Sequence, residues 1–249
     1  MEHAYNLLLW GMIFLAVIVF VALYFVKAGY GIMRNGHWGP QIPNKWGWLL
    51  MEAPVFIVMG ILWWKSERRF EPVCLIFFSL FQIHYLNRSF IYPFLLKGKS
   101  PMPLSIILMG VVFNVLNAVM QGGWIFYFSP SNMYSLQWLY TPQFIFGTFI
   151  FFMGMYIYII RHLRKPGDTK HYLPRGGMFR YVSSANYFGE IVEWIGFAIL
   201  TWSLAGTVFA IWTFANLVPR ANAIYHRYED MFGEEFVKEK RKRVIPFIY

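Results

Sequence analysis

Residues 161–194 read RHLRKPGDTKHYLPRGGMFRYVSSANYFGEIVEW, and the rest of the chain can be interpreted from this stretch outward. The stretch begins where one apolar segment ends, is rich in Lys and Arg, and continues into a second apolar segment that contains Glu190 and Glu193. A basic, turn-rich loop between two membrane helices predicts a binding site for an anionic molecule, because Arg matches phosphate and carboxylate groups. Carboxylates inside the next helix indicate that part of this molecule reaches into the bilayer.

The composition predicts an all-α polytopic membrane protein. Of the 249 residues, 58% are hydrophobic and only 14% are charged, whereas soluble domains are about 25% charged. The single Cys74 excludes an intrachain disulfide. The first apolar run follows no basic segment of the kind that opens a signal peptide, so we expect it to be retained as a helix.

We predict seven transmembrane helices, each from a stretch of roughly 17–25 mostly apolar residues. They are 6–26, 47–64, 72–95, 103–128, 142–160, 185–204 and the shorter 205–218. The last two meet at the Ala205-Gly206 pair, where we expect a tight helical hairpin. Residues 1–249 are expected to form a single transmembrane domain.

The distribution of Lys and Arg predicts the orientation, because cytoplasmic loops carry an excess of these residues. With the N-terminus outside or lumenal and the C-terminus cytosolic, most of the positive charge falls on inner segments. These segments are 27–46, 96–102, 161–184 and the tail after 218. The outer loop 129–141 is uncharged, as this orientation requires. Loop 65–71 is an exception, because it also lies outside but contains Lys and Arg. The net charge of +10 therefore reflects membrane topology, and we expect no nucleic-acid partner.

Several polar residues lie inside the predicted spans, where they are costly and suggest function. They are Glu52, His84, Tyr85, Asn87, Arg88, Asn114, Asn117, Gln121, Asn186, Glu190 and Glu193. The three amides in the fourth span share one helix face. Their role could be purely structural, to form hydrogen bonds between helices. His84 could be a satisfied interior histidine. Arg88 could reach the membrane interface or form an ion pair with Glu52, Glu190 or Glu193.

Glu52 and Tyr85 form the sharpest hypothesis for chemistry. Burial in an apolar site favours the protonated form of a carboxyl group, which could then share a proton with a phenol. Such a pair can donate hydrogen bonds to a ketone oxygen and stabilise an enolate.

The sequence lacks the motifs of other common classes, including GxGxxG, the P-loop, HExxH, paired CxxC and GxSxG, and we predict no metal site. A dinucleotide would have to be held by the basic loop and the tail. The candidate arginines are Arg161, Arg164, Arg175, Arg180 and Arg220. The alternative is that the loop carries its charge for topology alone.

The stretch RKPGDTKHYLPRGGMFRYVSSANYFGEIVEWIGFAILTWS, the tail KRVIPFIY, the MEAP of the second span and HYLNRSFIYPFLL of the third together resemble the steroid 5α-reductase family. The resemblance extends from about residue 29 to 249, in the right order and spacing. It implies a membrane enzyme of seven transmembrane helices that uses NADPH to reduce the 4,5-double bond of 3-oxo-Δ4-steroids.

The resemblance also implies roles for individual residues. Glu52 and Tyr85 match the pair that bonds the steroid 3-ketone, so that hydride transfer to C5 gives an enolate that these two side chains stabilise. Trp48 matches an aromatic residue of the substrate pocket, and we expect Arg88 to lie at the substrate as well. The positions that match cofactor contacts are Tyr30, Lys99, Arg164, Tyr172, Asn186, Glu190, Arg220 and Tyr228.

The chain departs from the family pattern at several positions. Between Ile157 and Tyr158 it lacks the family's Asn-Ile-His-Ser-Asp run, which supplies cofactor contacts, and the loss would shift Arg161 and Arg164. Other departures are the replacement of family arginines by Lys99 and Tyr172, of histidines by Ile224 and Tyr225, and of a glutamine by Met51.

Two other classes of function are alternatives. Membrane methyltransferases that act on isoprenylated cysteine have a similar basic loop and use S-adenosylmethionine. A lipid carrier or transporter is a further possibility, although no inverted repeat supports it. Within the reductase class, another lipid enone could replace the steroid. The expected partners are a steroid or sterol-like lipid and the lipid bilayer. We expect the membrane to be a bacterial inner membrane or the endoplasmic reticulum, and the protein to be a monomer.

Overall fold

A computed structural model of the chain describes residues 1–26, 29, 33, 38–96, 101–160 and 173–249. Helices account for most of these residues. They are α1 (Glu2–Phe25), α2 (Asn44–Lys65), α3 (Pro72–Leu86), α4 (Tyr92–Leu95), α5 (Leu104–Gly123), α6 (Pro142–Ile160), α7 (Ala185–Thr201), α8 (Leu204–Phe232) and α9 (Glu234–Val237). Two short strands, β1 (Gln41–Pro43) and β2 (Pro101–Pro103), pair antiparallel before α2 and α5.

Four of the described helical segments are long and apolar enough to cross a membrane. They are Glu2–Phe25, Asn44–Lys65, Leu104–Phe128 and Pro142–Ile159. Their outward faces carry large apolar side chains, and Trp10, Phe14 and Phe149 are each more than 60% exposed. Because exposing such large apolar side chains to water is unfavourable, these faces are suited to contact with lipid. The prediction of an all-α integral membrane protein is confirmed.

The third predicted span is helical throughout but not uniform. α3 passes into a π-helical turn at Asn87–Ile91 and then into α4. Pro93 has no N–H to donate to the carbonyl four residues earlier, so the α-helical pattern is interrupted here. Arg88 lies within this turn. A π turn inserts extra backbone into a helix and redirects its side chains, and such turns are frequent at functional sites.

α6 and α7 pack with their backbones in close contact. A Cβ atom added to Gly154 would lie closer than 3.0 Å to the backbone of Glu193, and one added to Gly189 would lie equally close to the backbone of Tyr158. Small residues allow membrane helices to approach in this way. The contact therefore sets the distance between the α6 residue Tyr158 and the carboxylates of α7.

The turn between α7 and α8 differs from the prediction. It lies at Trp202 and Ser203 rather than at the Ala205-Gly206 pair, and α8 continues to Phe232 rather than ending at 218. The Ser203 hydroxyl accepts a hydrogen bond of 2.9 Å from the Gly206 N–H, which caps the new helix. Trp202 takes a left-handed conformation with φ 47°, which reverses the chain in a single step.

The C-terminal tail folds back against the segment that precedes α7. The N–H groups of Ser183 and Ser184 donate to the carbonyls of Lys242 and Arg243, at 2.8 and 3.1 Å. Arg243 also donates to the Asn222 side chain at 2.6 Å, which ties the tail to α8. Two segments that are far apart in sequence are thus brought to the same end of the molecule.

Candidate active site

Arg88 is the centre of a polar cluster between the helices. Its Nε donates to Glu52 Oε1 on α2 at 3.1 Å, and its Nη1 donates to Glu190 Oε2 on α7 at 3.2 Å. The same Nη1 donates to the Tyr158 hydroxyl on α6 at 3.0 Å. One guanidinium therefore joins three helices through bonds that are strong because at least one partner is charged.

Glu52 accepts hydrogen bonds at both carboxylate oxygens. Arg88 occupies Oε1, and Asn114 Nδ2 donates to Oε2 at 3.0 Å. The same Asn114 amide donates to the Met51 carbonyl at 2.8 Å. The sequence predicts a Glu52 that is protonated or shares a proton with a phenol, so that the pair donates to a ketone. In the structure Glu52 acts as an acceptor, because each of its oxygens faces an N–H group.

Tyr85 is buried near the end of α3, three residues before Arg88 of the π-helical turn that follows. Asn117 Nδ2 donates to the Tyr85 hydroxyl oxygen at 3.0 Å. Asn114 and Asn117 are one helical turn apart on α5, so the side chains that they hold, Glu52 and Tyr85, are neighbours. The structure therefore brings the predicted pair together.

Trp48 and Tyr92 form an aromatic wall beside the cluster. The Arg88 guanidinium lies over the Trp48 ring, 4.9 Å from its centroid, and the Tyr92 ring meets Trp48 edge-on at 5.3 Å. Trp48 also packs with Met51 and Met102 in a separate apolar cluster. A flat apolar molecule could bind against such a wall with its polar end near the guanidinium.

His84 and Glu193 form a second buried pair, in which His84 Nδ1 lies 2.8 Å from Glu193 Oε1. Both side chains are almost completely excluded from solvent. Among the partners proposed for Arg88, the structure selects Glu52 and Glu190, while Glu193 pairs with the histidine instead. The interpretation of His84 as a satisfied interior histidine is thus confirmed.

Tyr158 is a site residue that sequence reasoning missed. It lies in the apolar segment GMYIYII near the end of α6, where nothing in the residue pattern distinguishes it from Tyr156. In the structure Tyr158 is 3% exposed and bonds Arg88, whereas Tyr156 is 68% exposed. Only the helix phase set by the α6–α7 contact separates the two.

The described cofactor candidates lie toward the N-terminal end of α7. Asn186 is buried one turn before Glu190 and on the same face. Arg220 of α8 lies over the ring of Tyr187, 5.8 Å from its centroid. Tyr228 is farther along α8, where its ring packs against Phe232 and Phe236.

These residues fit an anionic dinucleotide. Ser184 precedes α7, and its buried hydroxyl has no hydrogen-bond partner among the described residues. A helix N-terminus and a nearby arginine favour phosphate groups. Tyr30, Lys99, Arg164 and Tyr172 lie outside the described residues, as does Arg161, so their predicted contacts remain predictions. Among the described residues there is no group of His, Cys, Asp and Glu side chains that could hold a metal.

Comparison with known proteins gives a consistent result. A family model described as 3-oxo-5-alpha-steroid 4-dehydrogenase matches residues 100–249. The chain is 36% identical to steroid 5-alpha-reductase DET2 of Gossypium hirsutum over 244 residues, covering 94% of this chain and 93% of that protein. It is 38% identical to 3-oxo-5-alpha-steroid 4-dehydrogenase 2 of Sus scrofa over 244 residues, with 94% of each chain covered.

A mammalian type 1 relative gives a similar figure. The chain is 35% identical to 3-oxo-5-alpha-steroid 4-dehydrogenase 1 of Bos taurus, over 94% of this chain and 93% of that protein. Each of these three relatives aligns with 94% of this chain. This chain therefore belongs to the 3-oxo-5-alpha-steroid 4-dehydrogenase, or steroid 5-alpha-reductase, family.

Proposed function

We propose that this protein is an NADPH-dependent oxidoreductase that reduces the 4,5-double bond of 3-oxo-Δ4-steroids. The observation that carries the proposal is the buried Tyr85 hydroxyl beside the ion-paired Glu52, Arg88 and Glu190. The Tyr85 oxygen accepts from Asn117, and no acceptor for its proton is found in the described part of the chain. A ketone oxygen would supply that acceptor.

The arrangement can stabilise the charge that develops during such a reduction. NADPH, when bound, would supply the hydride that is added at C5, and a proton added at C4 then completes the reduction. Negative charge then accumulates on the 3-oxo oxygen, where a hydrogen bond from Tyr85 becomes stronger than it was to the neutral ketone. Arg88 adds a positive charge nearby, and Glu52 holds that guanidinium in place. The aromatic wall of Trp48 and Tyr92 supports the flat steroid skeleton.

Residues of α7 and residues of α8 both contribute to the proposed cofactor site. Asn186 and Glu190 would contact the cofactor near the substrate, while Arg220 and Tyr228 would contact it farther along α8. Tyr30, Lys99, Arg164 and Tyr172 complete the proposed set through the family resemblance alone. The buried Ser184 hydroxyl, which has no hydrogen-bond partner within the described ranges, supports a polar ligand at this end of α7.

We also propose seven transmembrane spans, with the N-terminus outside or lumenal and the cofactor site facing the cytosol. The proposal adds three spans to the four segments that meet length and hydropathy criteria: α3 with its continuation to α4, α7, and the first part of α8. The basic tail packed before α7 supports a cytosolic position for this end. Epitopes placed at each terminus and probed in sealed cells would test the orientation.

The reaction can be tested with the purified protein in detergent or liposomes. NADPH oxidation would be followed by absorbance with a 3-oxo-Δ4-steroid, and the product would be identified by mass and by its configuration at C5. Tyr85→Phe removes the donor to the oxyanion, and we expect kcat to fall about 10²–10³-fold. Glu52→Gln weakens the hold on Arg88, and we expect a large loss as well.

Ser79→Ala is a matched control, because among the described residues the Ser79 hydroxyl bonds only to the Leu75 carbonyl of its own helix α3. This variant should keep wild-type turnover, and all variants should keep their affinity for NADPH. Near-normal turnover in Tyr85→Phe would refute the assigned role. Thermal stabilisation by S-adenosylmethionine but not by NADPH would refute the reductase and favour a methyltransferase.

A further inference from the structure

We propose that Asn117 and Gln121 are positioning residues that fix the direction of the Tyr85 hydroxyl, so that its proton points toward the substrate ketone. This inference rests on the proposed function and specifies which member of the Glu52 and Tyr85 pair is the hydrogen-bond donor. Both amides are buried on α5 and lie one turn apart, so water does not compete for their hydrogen bonds.

The direction of the chain of hydrogen bonds is set at its start. The side chain of Gln121 lies 2.9 Å from the carbonyl oxygen of Ala205 on α8. A carbonyl oxygen can only accept, so the NH₂ group of Gln121 must face it. The same NH₂ lies 3.4 Å from the Asn117 side chain, and only the amide oxygen of Asn117 can accept from it. The NH₂ group of Asn117 is therefore turned the other way.

This second NH₂ group is directed at Tyr85. Asn117 Nδ2 lies 3.0 Å from the Tyr85 hydroxyl oxygen, and an NH₂ group can only donate. The phenol oxygen must accept this bond, so its own proton is left for another acceptor. The backbone carbonyl of Ala205 thus determines, through two amides, that Tyr85 acts as a donor.

The neighbouring amide on α5 gives Glu52 the opposite role. The carbonyl of Met51 turns the NH₂ group of Asn114 inward, and this group donates to Glu52 Oε2. With Arg88 at Oε1, Glu52 is held as an acceptor. The amides on one face of α5 therefore give the two functional side chains different roles. Tyr85 is left as a hydrogen-bond donor, and Glu52 is held as an acceptor.

The first test removes the amide while keeping its size. Asn117→Leu leaves the Tyr85 ring in place, but its hydroxyl proton is no longer held in one direction. We therefore expect kcat to fall about 10–100-fold, which is less than the loss in Tyr85→Phe. We expect KM for the steroid and for NADPH to change less than about 3-fold, because ground-state binding is largely retained. Thr213→Val is the control, since Thr213 is buried and, in the part of the chain that the structure describes, its hydroxyl bonds only the Phe209 carbonyl of its own helix.

Two further variants separate positioning from a structural role. In Asn117→Asp, an ionised carboxylate would accept the Tyr85 proton and draw it away from the ketone. We expect a loss larger than in Asn117→Leu at high pH and partial recovery as the pH falls and the introduced carboxyl becomes a donor. In a Tyr85→Phe background, Asn117→Leu should cause no further loss of kcat. A pH-independent loss, or additive losses in the double variant, would overturn the proposal.

A readout that does not need activity distinguishes this inference from the proposed function. Tyrosine labelled with ¹³C at Cζ reports the hydrogen bonding of each phenol, and Tyr85→Phe identifies the Tyr85 resonance. Asn117→Leu should shift that resonance, whereas Thr213→Val should not. An unmoved resonance overturns the inference even if the enzyme reduces steroids. A wild-type protein that oxidises no NADPH with any 3-oxo-Δ4-steroid refutes the function, while a shifted resonance would still support the positioning.

Discussion

Replacement of Arg88 by methionine should destabilise the protein strongly, and the structure indicates by how much. The substitution keeps a long unbranched side chain but leaves the carboxylates of Glu52 and Glu190 facing each other without their shared partner. The three side chains are only 18%, 7% and 10% exposed, so solvent screens these charges poorly. Breaking a buried ion pair by removing one partner costs about 3–5 kcal/mol. For a chain of this length, that free energy corresponds to a fall in Tm of roughly 6–20 °C.

The assay is thermal unfolding of the purified protein in a single detergent, compared with wild type and with the control Ser79→Ala. The decisive comparison is the triple variant Arg88→Met, Glu52→Gln and Glu190→Gln, which removes the uncompensated charges together with the guanidinium. We expect it to recover most of the lost stability without recovering turnover, because the loss arises from unpaired charge rather than lost packing. An Arg88→Met variant with wild-type Tm, or a triple variant no more stable than the single one, would contradict this reasoning.

Three further substitutions test the scaffold by thermal unfolding in the same detergent. Gly154→Ala should cost about 1–3 kcal/mol, because the added methyl group meets the backbone of α7 and forces the helices apart; no change in Tm would refute the close contact. Ser203→Ala should cost about 1 kcal/mol through loss of the cap on Gly206, and equal stability would show that the cap is dispensable. His84→Leu should cost about 3–5 kcal/mol by leaving Glu193 unpaired, and adding Glu193→Leu should restore much of it; failure of that second change to help would refute the pairing.

The polar residues that form the site could be recognised from the sequence, because charged and amide side chains are conspicuous in apolar segments. Their pairing could not. Glu190 and Glu193 are three residues apart on one helix, yet one contacts Arg88 and the other His84. The difference depends on the rotation of α7 against α3, which side-chain packing decides and which hydropathy does not encode.

Some helix boundaries could be predicted from the sequence and others could not. The starts of α3 and α6 agree with the predicted spans, because proline at the first turn is an unambiguous local signal. The sequence places the turn between α7 and α8 at the Ala205-Gly206 pair, whereas the structure has it at Trp202 and Ser203. Gly206 is instead the residue that Ser203 caps, and its small size serves packing against α7. A capping serine two residues after a helix end was the signal that would have found the turn.

The close contact between α6 and α7 has a consequence for engineering the enzyme. Because Gly154 faces the backbone of Glu193 and Gly189 faces that of Tyr158, a larger residue at either glycine displaces a partner of His84 or of Arg88. Substrate range and thermal stability are therefore coupled on this side of the site. Variant libraries that seek new substrates should leave this side unchanged and diversify the opposite wall, at Trp48 and Tyr92, where side chains rather than backbones form the boundary.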